Sequence, residues 1–147
     1  MLFRSKVLVE GADPAGSVLG GSVLAVISVE AQLPKRTSPA GSGLRVAIDH
    51  ARIHFNEPLR IEELARLAAM SLAQFERAMR KALGVTPKQF VQRLRSDHAA
   101  TLLATTAASI AEVASACGYY DQSQFTRLFR SATGLTPGSY RASALRR

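Results

Sequence analysis

The stretch Ile110-Ala111-Glu112-Val113-Ala114-Ser115-Ala116-Cys117-Gly118-Tyr119-Tyr120-Asp121-Gln122-Ser123-Gln124-Phe125-Thr126-Arg127-Leu128-Phe129-Arg130, continued by Gly134-Leu135-Thr136-Pro137-Gly138-Ser139-Tyr140-Arg141, decides the fold. Phe125 and Phe129 are one helical turn apart and share an inward face, with Ala132 expected one turn further on. At ~100° per residue, Ser123, Arg127 and Arg130 then fall on the opposite face, flanked by Gln124 and Thr126, with Gln122 near the helix start. Asp121 offers a capping oxygen and Gln124 follows three residues later, the pattern that satisfies orphan N–H groups at a helix start. Gly134 suits the left-handed residue that stops a helix. Thr136-Pro137 supplies an N-cap and a first-position proline for the next helix.

The same signals occur once before. Ile61-Glu62-Glu63-Leu64-Ala65 precedes its copy by 49 residues, while Phe75-Glu76-Arg77-Ala78-Met79-Arg80 and Gly84-Val85-Thr86-Pro87 precede theirs by 50. One extra residue therefore lies in the turn of the second copy. Ser71 and Gln74 repeat the capping pair, and Ala73, Arg77 and Arg80, flanked by Glu76, form the outward face of the first copy. Each unit reads as a helix of about nine residues, a tight turn and a second helix of about twelve, a helix-turn-helix. The motifs are predicted at 61–83 and 110–132, joined by a longer helix from 88 to about 104. A preceding helix at 44–55 carries Leu44, Ala47, Ile48, Ala51 and Phe55 along one stripe and should roof the first unit.

Upstream the character changes. Pro34-Lys35-Arg36-Thr37-Ser38-Pro39-Ala40-Gly41-Ser42-Gly43 resists both helix and strand and reads as a linker over 34–43. Residues 1–33 suggest two strands around the turn-like Gly11-Ala12-Asp13-Pro14-Ala15-Gly16, a short β-hairpin segment. Two strands alone are marginal in water, so this segment needs something to pack against.

The chain has 147 residues, enough for one self-sufficient core, and 47% hydrophobic residues argue against wholesale disorder. Its net charge of +8 puts polyanions high among its partners. The charge is concentrated: residues 44–147 hold 15 basic and 8 acidic side chains, and residues 1–43 hold 4 and 3. The single cysteine, Cys117, excludes an internal disulfide and fits a reducing compartment. The most apolar stretch, 18–29, falls short of the ~20 residues needed to span a bilayer, so a soluble, cytoplasmic protein is expected.

Arginine can donate two bonds to guanine, glutamine can pair with adenine, and serine or threonine makes a short adaptable contact in the major groove. A single helix arginine is more often a solvated surface group, but equivalent placement in two copies favours reading. Glu76 has two readings: an i, i+4 partner for Arg80, or an acceptor from cytosine N4. Phe75, Met79, Phe90, Phe125, Phe129 and Tyr140 follow the buried period and are assigned to the core.

The double unit, above all the stretch quoted first, resembles the DNA-binding domain of AraC/XylS-type transcription regulators, with the likeness running from about Leu44 to Arg141. The resemblance implies an all-α domain, 44–147, of seven helices forming two helix-turn-helix subdomains joined by a long linker helix. It places the base-reading positions on Ala73, Glu76 and Arg77 in the first unit and on Gln122, Ser123, Gln124 and Arg127 in the second. The sequence departs from the family at Ala73, too small for more than a thymine-methyl contact. It departs again at Ser96, where an aliphatic residue is usual and a loosened linker helix is expected. Residues 11–29 resemble the final hairpin of a PAS-type sensor; 43 residues are too few for a whole sensor, which suggests a truncated regulator or one that has lost its sensor.

The expected function is sequence-specific binding to double-stranded DNA as a regulator of transcription, an activator, with RNA polymerase as partner. A monomer able to cover two groove segments about one helical turn, ~34 Å, apart is expected. Arg80, Lys81, Lys88, Arg93, Arg95 and Arg130 are candidate phosphate contacts. The competing class is a helical module that binds another regulator or polymerase without reading DNA. Enzymatic readings fare poorly. His50 and His54 have metal-compatible spacing but lack an intervening glutamate and a third ligand, so no metal or other cofactor is expected. Cys117 reads as a small buried residue rather than a nucleophile.

Overall fold

The computed structural model describes residues 39–146. The predicted hairpin, the PAS-like stretch and linker residues 34–38 lie outside the described residues. Those described form seven helices: α1 (Pro39–His54), α2 (Ile61–Leu67), α3 (Leu72–Leu83), α4 (Pro87–Thr105), α5 (Ile110–Ala116), α6 (Gln122–Thr133) and α7 (Pro137–Leu145). They fall into two compact units, 39–92 and 93–146, with α4 contributing to both. At 1.5 Å per residue, the 19 residues of α4 extend about 28 Å.

In the first unit α1 packs on α2 and α3. Leu44, Ala47, Ile48 and Ala51 are all buried, which is the roof expected from their spacing; Phe55 lies past the helix end and is only half-buried. The start of α1 corrects the sequence reading, because residues 39–43, assigned to the linker, are helical. Proline at the first position of a helix needs no N–H partner. Gly43 has a specific use there: a Cβ at this position would run into the backbone carbonyl of Ala68, just beyond α2. Glycine that looks like a linker signal in one dimension is here the condition for close helix packing.

The tight turns in the two units use the same hydrogen bonds. Met70 N–H donates to Ala65 O in the first and Tyr119 N–H to Ala114 O in the second, both at 3.0 Å. Each turn needs one left-handed residue, which is Gly118 (φ 87°) in the second unit but Ala69 (φ 59°) in the first. An L side chain is disfavoured in that region. Ala69→Gly is therefore expected to stabilise the protein by about 1 kcal/mol, read as a higher urea midpoint at unchanged m-value.

The second unit is built on a row of rings. Tyr119 and Phe125 lie 4.8 Å apart between centroids, Phe125 and Phe129 5.4 Å, and Phe129 and Tyr140 5.6 Å. Ala99, Leu103, Val113 and Cys117 close around them. Burial pushes the Cys117 thiol up to about 12, so it is a packed, protonated side chain. The inward stripe of α6 continues to Thr133, not to Ala132, which is exposed. Thr133 follows Phe129 by four residues, one helical turn. Its hydroxyl lies 2.9 Å from Phe129 O, to which it can donate, and accepts from Leu135 N–H at 3.2 Å, so a polar side chain is tolerated inside.

Ser96 also differs from expectation. Its side chain is 2% exposed, and its Oγ lies 3.2 Å from the phenol oxygen of Tyr119. Rather than loosening α4, it gives a buried tyrosine the partner that an aliphatic residue could not. Ser96→Ala is expected to cost about 1–2 kcal/mol by leaving that phenol unsatisfied, while Ser96→Ala in a Tyr119→Phe background should cost clearly less. A double-mutant cycle by urea denaturation measures the difference; equal costs in both backgrounds would mean the pair is not coupled. The C-terminal end of α4 is held from α7, where Arg141 donates from Nε to Leu103 O at 3.1 Å and from a terminal nitrogen to Thr106 O at 3.3 Å. Its guanidinium thus satisfies carbonyls that have no helical partner.

Candidate nucleic-acid interface

The second helix of each helix-turn-helix motif is pinned at both ends. Ser71 and Gln74 form a complete capping box at α3, with Ser71 Oγ accepting from Gln74 N–H at 3.1 Å and Gln74 Oε1 accepting from Ser71 N–H at 2.9 Å. Asp121 Oδ1 accepts from Gln124 N–H at 2.8 Å at the start of α6. Gly84 (φ 74°) and Gly134 (φ 84°) terminate the two helices in left-handed conformation. With Phe75 and Met79 buried on one side of α3, and Phe125 and Phe129 on one side of α6, the outward faces are set.

Those faces hold the predicted residues. Ala73, Glu76 and Arg77 are exposed on α3, as are Gln122, Ser123 and Arg127 on α6. Arg77 and Arg127 therefore occupy equivalent, solvent-facing places. Gln122, Ser123, Thr126, Arg127, Arg130 and Ser131 line a single open recess on the surface of the second unit. Ser131, not selected from the sequence, follows Arg127 by one turn, and the 50-residue repeat pairs it with Lys81. Gln124 stands apart from the other candidates. It is half-buried, and its Oε1 accepts from Tyr120 N–H at 2.7 Å, so the side-chain oxygen serves the turn of its own unit.

Among the candidate phosphate contacts, Arg80, Lys81, Lys88 and Arg130 are exposed. Arg93 is half-buried. So is Arg95, whose guanidinium is drawn below the ordinary arginine range by burial, with the nearby Tyr119 and Cys117 acting in the opposite direction. The outward cations are thus a subset of those picked by charge alone.

No three histidine, cysteine, aspartate or glutamate side chains converge among the described residues. His50 and His54 stack with ring centroids 4.3 Å apart, and His54 Nδ1 lies 3.0 Å from Glu57 Oε2. No described helix is long and apolar enough to cross a membrane.

A family model described as a helix-turn-helix domain matches residues 64–143. The probable transcriptional regulator LumQ of Photobacterium leiognathi is 33% identical over 87 residues, covering 59% of this chain and 35% of that protein. The HTH-type transcriptional activator RhaS of Escherichia coli is 28% identical over 112 residues, covering 76% of this chain and 40% of RhaS. The chain thus spans 35–40% of the length of these relatives. Among solved structures, the DNA-binding domain of the global transcriptional factor AdpA, in complex with a target DNA, matches with a TM-score of 0.68 at 34% identity. That match covers 71% of this chain and 96% of the AdpA domain. An AraC-type regulator from Chromobacterium violaceum matches with a TM-score of 0.65 at 29% identity, covering 70% of this chain and 92% of the other.

Proposed function

The chain belongs to the AraC-type helix-turn-helix family, and on that footing we propose that it binds double-stranded DNA in a sequence-specific manner as a regulator of transcription. Its recognition helices α3 and α6 read two successive major-groove segments. The observation that carries this reading is the matched exposure of Arg77 and Arg127 on helices that each start at a side-chain N-cap, bury two large side chains one turn apart and end at a left-handed glycine. Equivalent placement in both copies of the motif favours base reading over a solvated surface role.

In the second unit Arg127 donates to a guanine edge, Gln122 and Ser123 contact the neighbouring bases, and Gln124 holds the turn that presents them. In the first, Arg77 reads, Glu76 accepts from a cytosine amine, and Ala73 leaves room for a thymine methyl. Arg80, Lys81, Lys88 and Arg130 bond to phosphate, supplying affinity and salt dependence without selecting sequence. The half-buried Arg93 and Arg95 add to the positive field. Activation through RNA polymerase is the role we assign, in line with relatives named as activators.

The test begins by selecting bound duplexes from a random pool with the full chain. Arg127→Ala is then expected to lose about 1–3 kcal/mol on the selected duplex and little on a scrambled one, titrated at one salt concentration. Equal losses on both would remove Arg127 from the readers. Absence of any sequence preference in the wild-type chain would remove the function.

A further inference from the structure

The extra residue in the second copy of the motif is Tyr120. Counting forward from the first helix of each motif, the 49-residue offset pairs Ala69 with Gly118 and Met70 with Tyr119, and their turn hydrogen bonds match. Counting backward from the second helix, the 50-residue offset pairs Ser71 with Asp121, and both cap their helices. Tyr120 is left over between the two counts.

Two observations distinguish this residue. It is 88% exposed, the most exposed of the large apolar side chains among the described residues. Its backbone is nonetheless held, because the Gln124 oxygen that would close a capping box accepts from Tyr120 N–H instead. In the first unit the equivalent Gln74 oxygen accepts from the cap residue itself. The insertion has therefore shifted a structural hydrogen bond by one residue and anchored the backbone that carries an exposed ring, one with only two side-chain rotations, directly ahead of the reading helix.

We infer that Tyr120 is a positioning contact for DNA, its phenol hydroxyl donating to a phosphate oxygen at the edge of the groove segment entered by α6. This inference rests on the proposed DNA-binding function. Tyr120 immediately precedes Asp121, the cap of α6, whose exposed Gln122, Ser123 and Arg127 line the recess, and it is itself outside that lining. Tyrosine hydroxyls are among the groups that fix a protein on the duplex through its backbone. The bond is neutral on the protein side and releases no further counterion, so it adds affinity without steepening salt dependence.

The experiment uses the full chain, the selected duplex and a scrambled duplex, titrated by fluorescence anisotropy over a series of KCl concentrations. Tyr120→Phe is expected to weaken binding to both duplexes by a similar factor, about 5-fold, with the slope of log K against log salt unchanged. Tyr120→Ala should weaken both at least as much, and both variants should melt at the wild-type temperature. Wild-type affinity in Tyr120→Phe, a loss confined to the selected duplex, or a flattened salt slope would each overturn the assignment. Arg127→Ala is run in parallel: a loss there on the selected duplex, with Tyr120→Phe at wild-type affinity, overturns the tyrosine contact alone. No preference by the wild-type chain for either duplex overturns the function beneath it.

Discussion

Replacing Arg77 and Arg127 together by alanine should remove most of the protein's preference for its selected duplex while leaving it folded. Each guanidinium in a bidentate base contact contributes about 1–3 kcal/mol, and the two belong to separate motifs with separate cores, so the losses should approach additivity. The expected total is about 2–6 kcal/mol, or roughly 30-fold to 10⁴-fold in affinity, on the selected duplex. Scrambled DNA should lose far less, because Arg80, Lys81, Lys88 and Arg130 remain exposed for phosphate. Lys88→Ala is the contrasting control, since it should weaken all duplexes alike and reduce the salt slope by about one. A double arginine variant that loses equally on both duplexes would reassign both side chains to the phosphate set.

The second large effect is on stability. Phe129→Ala is expected to destabilise the unit formed by residues 93–146 by about 3–5 kcal/mol. Phe129 is 0% exposed and sits between Phe125 and Tyr140 in the row of rings, so its removal opens a cavity bordered by side chains that cannot collapse independently. Small domains are stable by only about 0.05–0.15 kcal/mol per residue, so this loss is comparable to everything a unit of that size has. Helical circular dichroism should show a lowered melting transition, and binding should fall on selected and scrambled DNA together. That joint loss separates a core lesion from a reading lesion: Phe129 and Arg127 are two residues apart on one helix, yet one variant should unmoor the helix and the other only its contact with a base. A melting transition close to wild type would show that the aromatic row is not the support of α6.

Much of the architecture was legible in one dimension because the chain states it twice. Capping residues, left-handed glycines and apolar pairs at one-turn spacing are local signals, and their recurrence identified both motifs and their outward faces. α2, α3, α5 and α6 lie within the predicted segments, apart from Thr133 at the end of α6, and the exposed positions of Arg77, Arg127, Gln122 and Ser123 follow from the burial of four large side chains. The count of one extra residue in the second turn was also available from the repeat alone.

What required three dimensions were the places where distant residues share one environment. Pro39, Gly41 and Gly43 form a plausible linker by composition. Only the approach of α1 to the Ala68 carbonyl explains a glycine inside a helix. Ser96 has no local reason in the sequence; its reason is Tyr119, 23 residues away and hydrogen-bonded to it. By charge alone Arg95 is one more surface cation, whereas in the fold it is half-buried, and the Gln124 oxygen accepts from Tyr120 N–H.

Taken alone, the sequence determined the helices, their ends and the faces they turn outward, because those depend on period, caps and backbone preferences within a few residues. Tertiary structure decided which polar side chains stay exposed to solvent and which are drawn into contacts within the protein. That choice depends on desolvation and on partners brought close by packing, and neither is a property of a residue and its immediate neighbours in the chain.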